Sequence, residues 1–100
     1  MKVLFVCNMN QYRSPTAEAL FKDRFETKSA GLYGGRLVSR EDMVWADTVV
    51  VMDDEQRFEL VQRFPGLVMQ KRVVSFDIPD VFGFNQSELV DLLNSKRSLL

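Results

Sequence analysis

Hydrophobic positions fall into short dense runs separated by polar stretches, and the spacing inside each run decides its element. Val3-Leu4-Phe5-Val6 is apolar at consecutive positions. It lacks the alternation of a strand with one wet face, so it reads as a strand buried on both sides, within a parallel sheet covered by helices. Thr48-Val49-Val50-Val51-Met52 reads the same way, and Lys71 to Phe76 makes a further strand around Val73 and Val74. Ser29-Ala30-Gly31 is a shorter candidate, followed by a turn at Tyr33-Gly34-Gly35. Elsewhere the period becomes helical. Ser14-Pro15 reads as an N-cap and first helical residue. Beyond it Ala17, Leu20, Phe21 and Phe25 form one apolar face, leaving Glu18, Lys22 and Asp23 to water. Ser39 to Asp42 opens a short helix carrying Met43, Val44 and Trp45, with Trp45 expected in the core beside the third strand. Asp53-Asp54 caps a helix from Glu55 to Phe64 that Pro65-Gly66 ends, and Leu89, Leu92 and Leu93 mark a last helix.

Strands alternating with helices in this way predict an α/β fold, a three-layer, doubly wound, four-stranded parallel sheet. No repeat, linker or shift in composition divides residues 1–100, which read as one domain. Ligands of such sheets bind outside the carboxyl ends of the strands, where the strand order reverses. Three loops fall at that edge: Cys7 to Ser14, Met52 to Glu55, and Asp77 to Phe84.

Composition then narrows the chemistry. Cys7 is the one cysteine and there is no histidine, which excludes an internal disulfide, a multi-cysteine zinc site and any Ser-His or Cys-His dyad. The 13 basic residues are interspersed among 14 acidic ones for a net charge of −1, so charge gives no support for a nucleic-acid or anionic-lipid partner. Apolar runs stay far below the roughly 18 residues of a membrane span, and the amino-terminal run turns polar too early for a secretory leader. These features lead us to expect a soluble cytoplasmic protein without metal or cofactor.

The chemistry that remains converges on the first loop. Between Cys7 and Arg13 lie Asn8-Met9-Asn10-Gln11-Tyr12, followed by Ser14-Pro15 and a helix. A loop of this length wrapping into a helix amino terminus points successive backbone N–H groups at one spot, with the positive end of the helix dipole behind them, and so cradles a phosphate-like anion. Residues Asn8 to Ser14 supply that cradle. Arg13 adds a planar fork able to hold two oxygens of a tetrahedral anion. The same field favours the thiolate of Cys7, and Ser14 is placed to donate a hydrogen bond to the sulfur.

The run Val3-Leu4-Phe5-Val6-Cys7-Asn8-Met9-Asn10-Gln11-Tyr12-Arg13-Ser14-Pro15-Thr16-Ala17-Glu18 resembles the signature of the low-molecular-weight protein tyrosine phosphatases, V-C-x-G-N-x-C-R-S-P. Ser29-Ala30-Gly31 and Ala46-Asp47-Thr48-Val49-Val50-Val51-Met52-Asp53 are similar to two later family motifs. The resemblance implies a flavodoxin-like four-stranded sheet. It also implies hydrolysis of a phosphomonoester, on a protein or a small molecule, through a cysteinyl-phosphate. Such a reaction needs a proton donor for the leaving oxygen, and without histidine an aspartate is the natural choice. Ile78-Pro79-Asp80-Val81-Phe82 matches the family's acid loop, making Asp80 the expected acid, with Asp77 its rival.

Three departures bear on function. Met9 replaces the loop glycine and would be strained at positive φ. Tyr12 replaces the second loop cysteine, removing the intraloop disulfide that can protect the nucleophile. The chain is also short between Gly31 and Trp45 and again after Asp80, which predicts a shallow, open cleft, with Tyr33, Phe82 and Phe84 as candidate stacking aromatics. Asn10 is expected to brace the loop, with Ser29 as a possible partner. The competing readings are a non-catalytic phosphate- or phosphoprotein-binding module, and a phosphatase for a nucleotide or RNA terminal phosphate. An arsenate reductase would require cysteines this chain lacks.

Overall fold

The computed structural model describes residues 1–100. Four parallel strands, β1 (Lys2–Cys7), β2 (Glu26–Gly31), β3 (Thr48–Val51) and β4 (Arg72–Ser75), form one sheet in the order β2-β1-β3-β4. The helices are α1 (Arg13–Phe21), α2 (Arg40–Trp45), α3 (Asp54–Arg63), α4 (Pro65–Met69) and α5 (Ser87–Ser95), followed by a 3₁₀ turn at Arg97–Leu99. The chain leaves β1 toward β2 on one side and later returns to β3 on the other, so the order reverses between β1 and β3.

The absence of alternation in β1 has a direct structural cause. Val3, Phe5 and Cys7 face one apolar cluster with Ala17 and Phe21 of α1 and Leu89 and Leu93 of α5. Leu4 and Val6 face the other, with Met43 of α2 and Leu60 of α3. Strand residues alternate between faces, but both faces are covered by helices, so every position from Val3 to Cys7 is apolar and buried. Phe5 stacks on Phe21 with ring centroids 5.6 Å apart.

Several local expectations are corrected. The first helix begins at Arg13, with Tyr12 and not Ser14 as its N-cap residue and with no side-chain cap. Ser14 has turned its hydroxyl toward the Cys7 sulfur and the Ala30 carbonyl instead. Phe25 lies beyond the end of α1 and packs back against the core from outside it. Glu18 is half-buried and accepts a hydrogen bond from Ser29 Oγ at 2.6 Å. Trp45 is not a core residue beside β3: it is half-buried at the flank of its cluster, with Lys28 Nζ 4.5 Å from its ring centroid. Pro65 does end α3, yet it also opens α4, which the sequence reading did not contain, because proline's fixed φ suits a first helical turn.

The start of α2 matches its expectation and ties the fold to the sheet edge. Ser39 and Asp42 form a capping box, Ser39 Oγ accepting from Asp42 N at 3.2 Å and Asp42 Oδ2 accepting from Ser39 N at 3.0 Å. Arg36 grips the same carboxylate in bidentate fashion at 3.1 and 3.2 Å. Burial by itself would raise the Asp42 carboxyl, but the hydrogen bonds and charge of Arg36 and the bonds from Ser39 hold it below its ordinary value of 3.8.

A carboxylate whose pKa is depressed by folding stabilises the fold above its unfolded value, and that contribution disappears as pH falls through the folded value. Asp42→Asn is therefore expected to cost roughly 1.5–3 kcal/mol at neutral pH. In urea titrations the gap between the variant and the parent should close as pH is lowered below 3.8, where the parent's own carboxyl becomes neutral.

Candidate active site

The three loops predicted at the carboxyl edge of the sheet meet at Arg13. Its guanidinium is 2% exposed although it belongs to one of the largest side chains in the core. Nη1 donates to the Ile78 carbonyl at 2.9 Å and lies 3.5 Å from Asp53 Oδ2, while Nε lies 3.6 Å from Asp80 Oδ1. Each of the other two loops thus sends at least one acceptor to a cation rooted in the first. Nε is buried and has no hydrogen-bond partner. An unpaired buried donor on a charged group is costly to keep, and the natural remedy is an acceptor bound in the space beside it.

That space is a recess of about 40 Å³ lined by Cys7, Met9, Gln11, Tyr12, Arg13 and Asp80. It would hold a few waters or one small anion. Cys7 is a free, buried thiol whose sulfur lies 3.0 Å from Ser14 Oγ. The absence of a side-chain cap on α1 leaves its first N–H groups open toward this end of the helix, and anions are stabilised at such termini.

The loop holds its shape through side chains placed around it. Asn10 adopts φ 54°, the left-handed conformation that asparagine tolerates. Its Nδ2 donates to Ser14 Oγ and Ser29 Oγ, both at 3.0 Å, and its Oδ1 accepts from Arg36 N at 3.2 Å. Met9 escapes the strain foreseen for it, since the positive φ falls one residue later. The neighbouring turn presses closely on this loop. A Cβ on Gly31 would collide with the Gly34 carbonyl, and one on Gly35, at φ 64°, would lie 2.7 Å from the Met9 carbonyl. Glycine is required at both positions.

Gln56 was missed by the sequence reading. It is 1% exposed, its Oε1 accepts from Met52 N at 2.6 Å, and its Nε2 donates to Asn8 Oδ1 at 3.1 Å. It therefore joins the end of β3 to the first residue of the loop. The available signal was its position three residues after the N-cap Asp53, which turns the residue back toward the strand end.

The two candidate acids are separated by geometry. Both are exposed, but Asp80 lines the recess, whereas Asp77, at φ 54°, stays outside it and accepts a hydrogen bond from Ser75 Oγ at 3.2 Å. Of the candidate aromatics, Tyr33 carries the Arg63 guanidinium over its ring, Phe82 packs against the core, and Phe84 is exposed. None of these three lines the recess.

The structure is of the α/β class, with a parallel sheet whose switch-point loop carries a free cysteine and leads into a buried arginine. Within that class, the low molecular weight phosphotyrosine protein phosphatase family model matches residues 2–36, the stretch from β1 through the loop and α1 to just beyond β2. Solved structures extend the likeness in fold across the chain. YwlE arginine phosphatase from Geobacillus stearothermophilus superposes with a TM-score of 0.73 at 22% identity, over 98% of this chain and 84% of that one. The low molecular weight protein tyrosine phosphatase from T. tengcongensis gives 0.74 at 22%, over 100% and 99%. The tyrosine phosphatase Wzb from Escherichia coli K30, solved with phosphate, gives 0.78 at 17%, over 98% and 94%. No curated protein sequence matches the chain significantly. The family model thus covers the loop that carries the resemblance, and the solved structures bear out the flavodoxin-like fold that it implied.

Removing the amide bridge tests how firmly the loop is held. Gln56→Met keeps the volume but strands the Met52 N–H and the Asn8 side-chain oxygen Oδ1, so a loss of about 1–3 kcal/mol is expected in equilibrium urea unfolding.

Proposed function

We propose that this chain is a cysteine-dependent phosphomonoesterase that hydrolyses phosphotyrosine-like aryl phosphates. The observation that carries the reading is the convergence of Cys7, Arg13 and Asp80 on one small recess at the switch point of the sheet. In the first step Cys7 Sγ attacks phosphorus, the bond to the leaving oxygen breaks, and Asp80 gives that oxygen its proton. In the second step the Asp80 carboxylate takes a proton from water, whose oxygen displaces the sulfur and releases inorganic phosphate. Arg13 and the loop N–H groups hold the equatorial oxygens throughout, where charge is greatest in the transition state. Ser14 Oγ, 3.0 Å from the sulfur, stabilises the thiolate both as attacking group and as leaving group.

A second substrate, phosphoarginine, is favoured by the fold neighbours described as arginine phosphatases, which include one from drosophila as well as the Geobacillus protein. The Asp53 and Asp80 carboxylates beside Arg13 would suit a leaving group that carries positive charge. Aryl phosphate remains the first reading because apolar Met9 and aromatic Tyr12 border the recess beside polar Gln11 and acidic Asp80.

The test is phosphate release from aryl, alkyl, nucleotide and arginine phosphates, compared across pH. Turnover should vanish in Cys7→Ser and fall on the order of 10²- to 10³-fold in kcat/KM for Arg13→Ala. Asp80→Asn should lower kcat by about 10²-fold or more for phosphotyrosine peptides, and by less for p-nitrophenyl phosphate, whose leaving group needs little protonation. Asp77→Asn should not reproduce this pattern. Full activity in Cys7→Ser would overturn the proposal, and tight phosphopeptide binding without turnover would favour the binding module.

A further inference from the structure

The recess is lined by three side chains that the chemistry above leaves without a role, the polar Gln11 and the larger apolar or aromatic Met9 and Tyr12. Met9 and Tyr12 are each 44% exposed and border the same space as Cys7, Arg13 and Asp80. Both stand where the family pattern has a small residue, glycine and cysteine respectively. The aromatics Tyr33, Phe82 and Phe84 do not line the recess. We infer that Met9 and Tyr12 are the specificity-determining walls of this site, and that they clasp a flat, uncharged aryl leaving group as it stands above the phosphate. The inference rests on the phosphatase reading and names its substrate class more narrowly.

Each wall has a physical fit to an aryl ring. Tyr12 is the N-cap residue of α1, so its backbone is fixed by the helix whose first turn holds Arg13. A phenol on so short a tether offers a large rigid face at little entropic cost, and ring pairs prefer offset or edge-to-face contact. Met9 offers a polarizable thioether, which packs favourably at the edge of a ring. Its terminal methyl rests where a β-carbon on Gly34 would be, so the turn after β2 receives the end of the side chain and limits where it swings. Alkyl phosphates would find little to touch beyond the anion cradle.

The prediction separates the walls from the cradle. Tyr12→Ala and Met9→Ala should each raise KM for an aryl phosphate such as phosphotyrosine about 3- to 10-fold. Relative to parent, KM for β-glycerophosphate and Ki for inorganic phosphate should change much less. Phe84→Ala, an exposed aromatic outside the recess, should change none of these. An equal rise in KM for aryl and alkyl substrates and in Ki for phosphate would mean that the substitutions only distort the loop, and would overturn the inference. So would a selective rise in KM for phosphoarginine with phosphotyrosine unaffected. If the parent turns over none of these substrates, the phosphatase reading fails. The walls are then tested by calorimetric titration of phenylphosphonate against methylphosphonate, where a parent preference for the phenyl compound that is lost in Tyr12→Ala supports them and equal binding of the two overturns them.

Discussion

The carboxyl edge of this sheet is organised by one buried cation. A guanidinium removed from water is tolerable only where acceptors surround it, and a chain of this length has few to spare. Arg13 obtains them from the loops beyond the two strands on the far side of the switch point: the Ile78 carbonyl and the Asp80 carboxylate beyond β4, and the Asp53 carboxylate beyond β3. The arrangement holds three chain segments together through a single side chain. It is also incomplete, since both carboxylates stand at 3.5 Å or more and Nε is unbonded. A fully satisfied arginine would be a structural strut, whereas Arg13 is left a donor short beside an open recess, the feature on which the proposed function draws.

The same economy governs the loop around it. Backbone N–H groups can converge on an anion only if they are not spent on one another, so something else must hold the chain in its curve. Side-chain amides take that task. Asn10 ties the loop to β2 and to Arg36, and Gln56 ties it to β3. Arg36 carries the tie onward through Asp42 to the start of α2. Glycines 31 and 35 let the adjoining turn approach closely enough for these bonds to form. Rigid bracing from outside the loop is the condition for an electrostatic site that needs no rearrangement when charge develops.

The sequence made much of this legible, for reasons that differ from part to part. β1 and β3 were readable because burial on both faces demands uninterrupted apolar side chains. The loop was readable as a candidate site because a lone cysteine, an arginine and a helix start follow one another directly at the end of a buried strand. What could not be read was decided by competition between local and distant partners. Ser14 has the chemistry of an N-cap, but the sulfur of Cys7 and the Ala30 carbonyl outcompeted the helix for its hydroxyl. Trp45 has the bulk of a core residue, yet a four-residue strand beneath a short helix left it at the flank. Gln56 looked like any polar helix residue, because its partners, Met52 N and the Asn8 side chain, are defined only once two strands lie side by side.

A further consequence follows from how little chain surrounds the recess. Where more chain is present, the groups that bind the phosphate and the groups that choose the leaving group can sit on separate segments and vary independently. Here most of the lining residues, Cys7, Met9, Gln11, Tyr12 and Arg13, come from a single loop, and only Asp80 is brought from elsewhere. Selection and catalysis are then coupled through the backbone. A side chain altered at Met9 or Tyr12 hangs from the same short loop that carries Cys7 and Arg13. The external braces at Asn8 and Asn10 are what could let the two functions separate, because they fix the backbone independently of the side chains that face the recess. On this argument the amide braces matter for more than stability: they are the reason a loop of so few residues can present new walls without losing its cradle.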